Sequence, residues 1–157
     1  MRHLAQIRSL YAEIDQSLET ARSDAAINGD VAAIVRIDEK LLLNDQAYFV
    51  LCWGQLEAEI DDACRAVIRR RKSNPSWDMR RGFDFYDQDD RRLSGLPFDR
   101  RAAILLDRSA GRGSPFAKVS QYYETRNKIA HGRLSPTRID IVNVISDFYL
   151  IQAAIKR

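Results

Sequence analysis

Apolar residues at three- and four-residue spacing run through most of this 157-residue sequence, and no stretch alternates as a β-strand does. The longest run extends from Val31 to Lys72. Because an α-helix has 3.6 residues per turn, such spacing places the apolar side chains on one helical face. The sequence therefore predicts an all-α fold, an up-down helical bundle of about four to six helices, with residues 1–157 forming one domain.

Turn residues set the expected helix ends. A first helix is predicted over residues 2–28, with Leu10 and Ile14 in its apolar face; Asn28 and Gly29 end it, and Asp30 caps the next helix. Within the long run, Asn44 and Asp45 are expected to break or cap the helix. Shorter helices are expected from Leu96-Pro97-Phe98 and from Pro115. A last helix is predicted after a cap at Ser135-Pro136-Thr137, with an apolar face of Ile139, Val142, Ile145, Phe148, Tyr149, Ala153 and Ile155.

Composition is that of a globular protein, with 45% hydrophobic and 30% charged residues. No apolar run approaches the ~20 residues that span a bilayer, and the N-terminus lacks the apolar core of a signal peptide. We therefore expect a cytoplasmic protein with no membrane partner. Cys52 and Cys64 lie roughly 18 Å apart along one helix, too far to form a disulfide. Two cysteines make no metal site, and no cofactor is predicted.

Charge is distributed unevenly along the chain. Residues 1–64 hold five basic and twelve acidic residues, a net charge of −7, whereas residues 65–133 hold seventeen and eight, a net charge of +9. The basic section favours binding to nucleic acid. The alternative is that the two sections neutralise each other across a helix pair.

The final turns of the helix that begins near Pro115 carry three residues suited to one chemistry. Arg126 lies within an apolar stripe, and a buried guanidinium requires a partner or a ligand. Arginine binds phosphate through a planar fork, histidine titrates near neutral pH, and asparagine can orient either group. Arg126, Asn127 and His131 together therefore suit a phosphodiester. The apolar stripe consists of Phe116, Val119, Tyr122, Tyr123, Ile129 and Ala130.

A purely structural interpretation accounts for the same residues. A histidine followed by a glycine such as Gly132 is typical of a helix C-terminus. An arginine in an apolar stripe is often the partner of a buried carboxylate, and Glu57 on the long helix is the candidate for Arg126.

The run Arg126-Asn127-Lys128-Ile129-Ala130-His131 resembles the signature of the HEPN superfamily (higher eukaryotes and prokaryotes nucleotide-binding domains). The long apolar helix around Phe49–Asp61 and the amphipathic helix after the motif also resemble that family. The resemblance implies a small all-α domain, and many members are metal-independent ribonucleases of toxin–antitoxin or antiviral systems. A tyrosine that a partner enzyme modifies follows the histidine by two residues in some of these toxins. This chain has Arg133 there, so silencing by that route is not expected.

The leading hypothesis is therefore a metal-independent endoribonuclease in which Arg126, Asn127 and His131 are catalytic. RNA is the expected substrate, a homodimer is the expected active unit, and an antitoxin protein is a possible partner. The alternatives are a non-catalytic RNA-binding or dimeric interaction module and a purely structural subunit. The basic residues predicted to bind RNA are Lys128, Arg133, Arg69, Arg70, Arg71 and Lys72.

Residues 73–95 form a long connection without a clean period. Trp77, Phe83, Phe85 and Tyr86 alternate there with basic residues. This arrangement is typical of segments that stack single-stranded bases. The alternative is that these aromatic rings pack onto the helices.

Overall fold

The computed structural model describes residues 1–83 and 95–156, and all the regular structure in these ranges is helical. The predicted all-α helical bundle is confirmed, and its six described helices lie within the expected number. The helices are α1 (Leu4–Ile27), α2 (Val31–Lys72), α3 (Trp77–Arg80), α4 (Phe98–Leu105), α5 (Pro115–Ala130) and α6 (Ile141–Ile155). None of them is long and apolar enough to cross a membrane, as far as the described ranges extend.

The chain divides into two compact units. The first consists of Met1–Gln55 and Glu124–Phe148, and the second of Leu56–Tyr123 and Tyr149–Arg157. Helices α2, α5 and α6 each contribute residues to both units. The expectation of a single domain over residues 1–157 stays a prediction.

The turn between α1 and α2 forms where the sequence predicts it. Gly29 has a φ of +68°, in the left-handed region that glycine adopts without strain. The Asp30 carboxylate accepts a hydrogen bond from the Ala33 N–H at 2.8 Å, which caps α2. The Arg22–Asp38 ion pair, at 2.6 Å, then links the two helices.

Helix α2 continues through Asn44 and Asp45, so the expected break is wrong. Aspartate disfavours helix interiors because its side chain competes for nearby backbone groups. Here the Asp45 carboxylate instead accepts bonds from Arg138 and from the Ile139 N–H, far along the chain. The helix is therefore 42 residues long, roughly 63 Å at 1.5 Å per residue.

Large buried side chains form the core of the first unit. Trp53 on α2 meets Phe148 on α6 edge to face, with ring centroids 6.3 Å apart. Both side chains are almost fully buried, so truncating either to alanine would cost about 3–5 kcal/mol. The other buried apolar residues of this unit are Leu4, Tyr11, Ala25, Leu41, Phe49, Cys52, Ile141, Val144 and Ile145.

The second unit has its own apolar core. Phe98 on α4 stacks on Tyr123 of α5, with centroids 4.6 Å apart. Phe83 packs against Cys64 and Ile68 of α2. Among the described residues of this unit, the buried apolar ones are Leu56, Ile60, Cys64, Ile68, Phe98, Ala102, Leu106, Val119, Ile151 and Ile155.

Two predicted apolar faces differ from those observed. Leu10 and Ile14 of α1 are 53% and 42% exposed. In α6, Val142 and Tyr149 are exposed, and the buried set is Ile141, Val144, Ile145, Phe148, Ile151 and Ile155. So many residues of this helix are apolar that spacing alone admits more than one face.

The predicted cap of α6 is also wrong. Ser135 closes a local turn, in which its hydroxyl accepts from the Thr137 N–H at 3.2 Å and donates to the Thr137 carbonyl at 2.9 Å. The helix begins later, where the Asp140 carboxylate accepts from the Asn143 N–H at 2.9 Å. Aspartate is among the strongest helix caps, which explains the later start.

Candidate functional site

Helix α5 carries the predicted catalytic residues. It starts with Pro115 in its first turn, and the Ser114 hydroxyl accepts from the Ala117 N–H at 3.2 Å. Of the predicted apolar stripe, Val119 alone is fully buried. Ala130 is exposed, and the remaining members of the stripe are half-buried. The stripe therefore buries less than its sequence spacing indicates.

The C-terminus of α5 forms a Schellman motif around Gly132. The Gly132 N–H donates to the Ile129 carbonyl at 2.9 Å, and the Arg133 N–H donates to the Lys128 carbonyl at 2.8 Å. Gly132 has a φ of +75°, which confirms its predicted role as the helix stop. His131 is thus the C-cap residue, and it is exposed.

Arg126 and Asn127 contact each other directly. A guanidinium nitrogen of Arg126 donates to the Asn127 side-chain oxygen at 3.1 Å, and both residues are half-buried. The Asn127 main-chain carbonyl accepts from the His131 N–H at 3.0 Å. Within the first unit, all of whose residues are described, no carboxylate forms an ion pair with Arg126.

The basic residues predicted to bind RNA fall into two groups. Lys128 and Arg133 are exposed at the C-terminus of α5, beside His131. Arg69, Arg70, Arg71 and Lys72 form the last turn of α2 in the second unit, where Arg69 and Arg70 are exposed.

Glu57 binds an arginine that the sequence analysis did not single out. The Arg101 guanidinium of α4 donates to Glu57 at 3.3 Å and also pairs with Asp61. Its side chain is 12% exposed and lies over the Phe98 ring. Arg101 thus has two carboxylates close by, within the second unit.

A second ion-pair cluster, around Arg138, also escaped the sequence analysis. Arg138 donates to Asp45 from Nε at 2.9 Å and from Nη2 at 3.0 Å. It also pairs with Glu19 at 2.6 Å and with Asp15. These carboxylates raise the pKa of the Arg138 guanidinium, chiefly through the hydrogen bond with Asp45. No sequence signal links Arg138 to Asp45, because the two residues are 93 positions apart.

Asp45 is the buried centre of this Arg138 cluster. Its side chain is 1% exposed. Besides Arg138, it accepts from the Tyr11 hydroxyl at 3.0 Å and from the Ile139 N–H at 3.0 Å. Burial raises the pKa of Tyr11, and the bond to Asp45 raises it further. A buried carboxylate is tolerated when its oxygens are satisfied in this way.

Neither cysteine is placed for chemistry. Burial raises the pKa of Cys52 to about 12 and that of Cys64 to about 11, so both are neutral thiols at physiological pH. Across residues 1–83 and 95–156, no group of three or more His, Cys, Asp or Glu is arranged to hold a metal ion.

The aromatic residues of the long connection are described in part. Trp77 is 57% exposed, with the Arg80 guanidinium 5.7 Å from its ring centroid, whereas Phe83 is packed on α2. One described ring therefore remains accessible for stacking and one does not. Phe85 and Tyr86, the other two predicted stacking residues, lie outside the described residues.

The arrangement at the end of α5 can bind an anion and move a proton. Arg126 offers a cationic fork that is bonded to a neutral amide, and His131 presents an imidazole from an exposed helix end. Lys128 and Arg133 add positive charge beside it.

Comparison of the chain with models of known protein families, with curated proteins and with solved structures finds no match.

Proposed function

We propose that this chain is a metal-independent endoribonuclease of the HEPN type. The observation that carries the proposal is the state of Arg126. Arg101 and Arg138 each bind two or more carboxylates, whereas Arg126 is bonded to the neutral Asn127 amide. A half-buried guanidinium in this state favours an incoming anion, and its planar fork matches a phosphate.

The proposed reaction is attack by a ribose 2′-hydroxyl on the adjacent phosphate. The 2′-oxygen forms a bond to phosphorus while the bond from phosphorus to the 5′-oxygen breaks. The products are a 2′,3′-cyclic phosphate and a 5′-hydroxyl. Arg126 stabilises the negative charge that develops on the phosphate oxygens, and Asn127 orients the guanidinium.

Two proton transfers accompany this exchange of bonds. One group must take the proton of the 2′-hydroxyl, and another must give a proton to the leaving 5′-oxygen. Each subunit supplies one histidine at the site, His131, and His3 lies at the N-terminus. We therefore propose a homodimer in which the His131 of one copy is the base and that of a second copy is the acid.

The proposed substrate is RNA held through its phosphates. Lys128 and Arg133 are exposed beside His131, where a backbone on either side of the cleaved bond would pass. The basic end of α2, Arg69–Lys72, is a second proposed phosphate contact. An antitoxin protein as the inhibitor is part of the same proposal.

The alternative function is a non-catalytic RNA-binding or dimeric interaction module. The observation that favours it is the C-cap position of His131, since a histidine at a helix C-terminus also has a structural role. An RNA-binding module also predicts RNA binding through Arg126, but without cleavage of the bound RNA. A dimeric interaction module predicts neither binding nor cleavage.

The proposal is tested with purified protein and RNA in the presence of EDTA. We expect cleavage to persist in the chelator and to leave cyclic phosphate ends. His131→Ala should reduce the rate by about 10²–10⁴-fold, the usual contribution of general acid–base catalysis. Loss of activity that a divalent ion restores would contradict the metal-independent mechanism. RNA binding without cleavage in the wild type would favour the non-catalytic module.

A further inference from the structure

The segment that follows the motif is fastened to one turn of α2. Ten residues, His131 to Asp140, lie between α5 and α6. Within this connection, the Ser135 N–H donates to the Gln46 side-chain oxygen at 3.0 Å, and the Gln46 amide donates to the Ser135 carbonyl at 3.5 Å. The Ile139 N–H donates to Asp45. Two successive residues of α2 therefore hold both halves of the connection.

Arg138 ties the same connection to α1. It bridges the buried Asp45 to Asp15 and Glu19, which are one turn apart on α1. An exposed ion pair contributes little, but here one partner is fully buried and the guanidinium bonds it through two nitrogens. The fastening thus depends on the buried Asp45 carboxylate. Removal of its partner Arg138 would leave an uncompensated buried charge, which is strongly destabilising.

His131 lies between the last turn of α5 and the part of the connection that is bonded to α2. It is exposed, so its place is determined mainly by the backbone that carries it. On its N-terminal side that backbone is the last turn of α5. On its C-terminal side it is Gly132, which adopts a φ of +75° that glycine tolerates without strain, followed by the fastened connection.

We infer that Arg138, acting through Asp45, is a positioning residue that holds the C-terminus of α5 and with it His131. The consequence for activity rests on the proposed nuclease function. Placement of a catalytic group within about 1 Å is worth up to roughly 100-fold in rate. Because the Arg138 guanidinium is occupied by carboxylates, it is not expected to contact RNA.

The chain offers a matched control for the test. Arg22 also bridges α1 and α2, through Asp38, but it does not contact the connection. Arg138→Gln and Arg22→Gln each remove one guanidinium that is paired with a carboxylate of α2. The chain has two histidines, so the imidazole Hε1 region of the NMR spectrum has two signals, and His3→Gln assigns them.

We expect Arg138→Gln to shift and broaden the His131 signal at a fixed pH, whereas Arg22→Gln leaves it unchanged. The kcat for RNA should fall about 10- to 100-fold with little change in KM in Arg138→Gln. Glu19→Gln removes one contact of Arg138 and serves as a milder variant if Arg138→Gln does not fold. It should move the His131 signal in the same direction.

Two results separate this inference from the proposed function. A His131 signal in Arg138→Gln that matches the Arg22→Gln control would overturn the positioning role, whatever the activity. If no protein, the wild type included, cleaves RNA, the nuclease proposal fails, and the imidazole signal alone then decides whether Arg138 positions His131.

Discussion

Arg126 and Arg138 lie within one stretch of chain, yet their surroundings differ. Arg138 is bound by three carboxylates, so its positive charge is paired within the protein. Arg126 is bonded to the neutral side-chain amide of Asn127. Sequence alone does not separate the two, because the carboxylates that occupy Arg138 lie on α1 and α2, far along the chain.

At the residue scale, we expect Arg126→Lys to reduce RNA cleavage by about 10²-fold or more. Lysine keeps the charge but lacks the planar fork that binds two phosphate oxygens at once. The measurement is kcat for a short RNA, with circular dichroism to verify the fold. Arg36→Lys, on the exposed side of α2, is the matched control and should leave kcat unchanged. Wild-type kcat in Arg126→Lys would show that the fork is not needed.

At the element scale, two glycines of the helices have opposite requirements. Gly54 lies within α2 and Gly132 ends α5 at a φ of +75°, and a Cβ added at either would meet nothing within 4 Å. Differences between alanine variants at these sites therefore report on the backbone alone. Gly54 loses more backbone entropy on folding into a helix than alanine would. Gly132, in contrast, adopts a left-handed conformation that is strained for alanine.

We expect Gly54→Ala to stabilise the protein by about 0.5–1 kcal/mol and Gly132→Ala to destabilise it by about 1 kcal/mol. Urea unfolding of the two variants beside the wild type measures both. The two changes serve as controls for each other, since each adds one methyl group. Equal effects of the same sign would mean that Gly132 does not hold its left-handed conformation in solution.

Local signals explain what could be predicted at this scale. The turn at Gly29 and the stop at Gly132 depend on neighbouring residues, and both were predictable. The continuity of α2 through Asp45 was not, because its stabilising partner, Arg138, is 93 residues away. The buried face of α6 was missed for a different reason: a helix that is apolar on most sides has no unique face. The motif residues were identified by spacing and resemblance, whereas the fastening by Gln46 and Asp45 carries no sequence signature.

At the scale of the whole molecule, the acidic and basic sections of the chain partly neutralise each other. Arg101, from the basic section, is paired with Glu57 and Asp61 of the acidic section. Arg138, which follows the basic section, likewise pairs with Asp15, Glu19 and Asp45 of the acidic section. The proposed RNA interface requires the exposed basic residues Lys128 and Arg133, which lie beside His131.

The proposed dimer predicts that a subunit without its histidine suppresses a wild-type subunit. We expect wild-type protein refolded with an excess of His131→Ala subunits to lose most of its cleavage rate, because a mixed dimer keeps one of the two histidines that the proposed proton transfers need. Wild-type protein refolded at the same concentration without the variant is the control. Light scattering should give twice the chain mass at assay concentration. A monomer that cleaves RNA at full rate would contradict the composite site.

The two buried cysteines have a practical consequence. Cys52 belongs to the first unit and Cys64 to the second, and burial keeps both as unreactive thiols. The rate at which each thiol is alkylated therefore reports how often its own unit opens. With iodoacetamide at pH 8, we expect both to react at least about a thousandfold more slowly than in urea, the factor for an opening free energy of ~4 kcal/mol. Mass spectrometry of the two labelled peptides gives the rates. Equal labelling rates of the two cysteines would mean that the units open together, whereas different rates would mean that they open separately. Labelling as fast as in urea would mean that these thiols are not buried in solution.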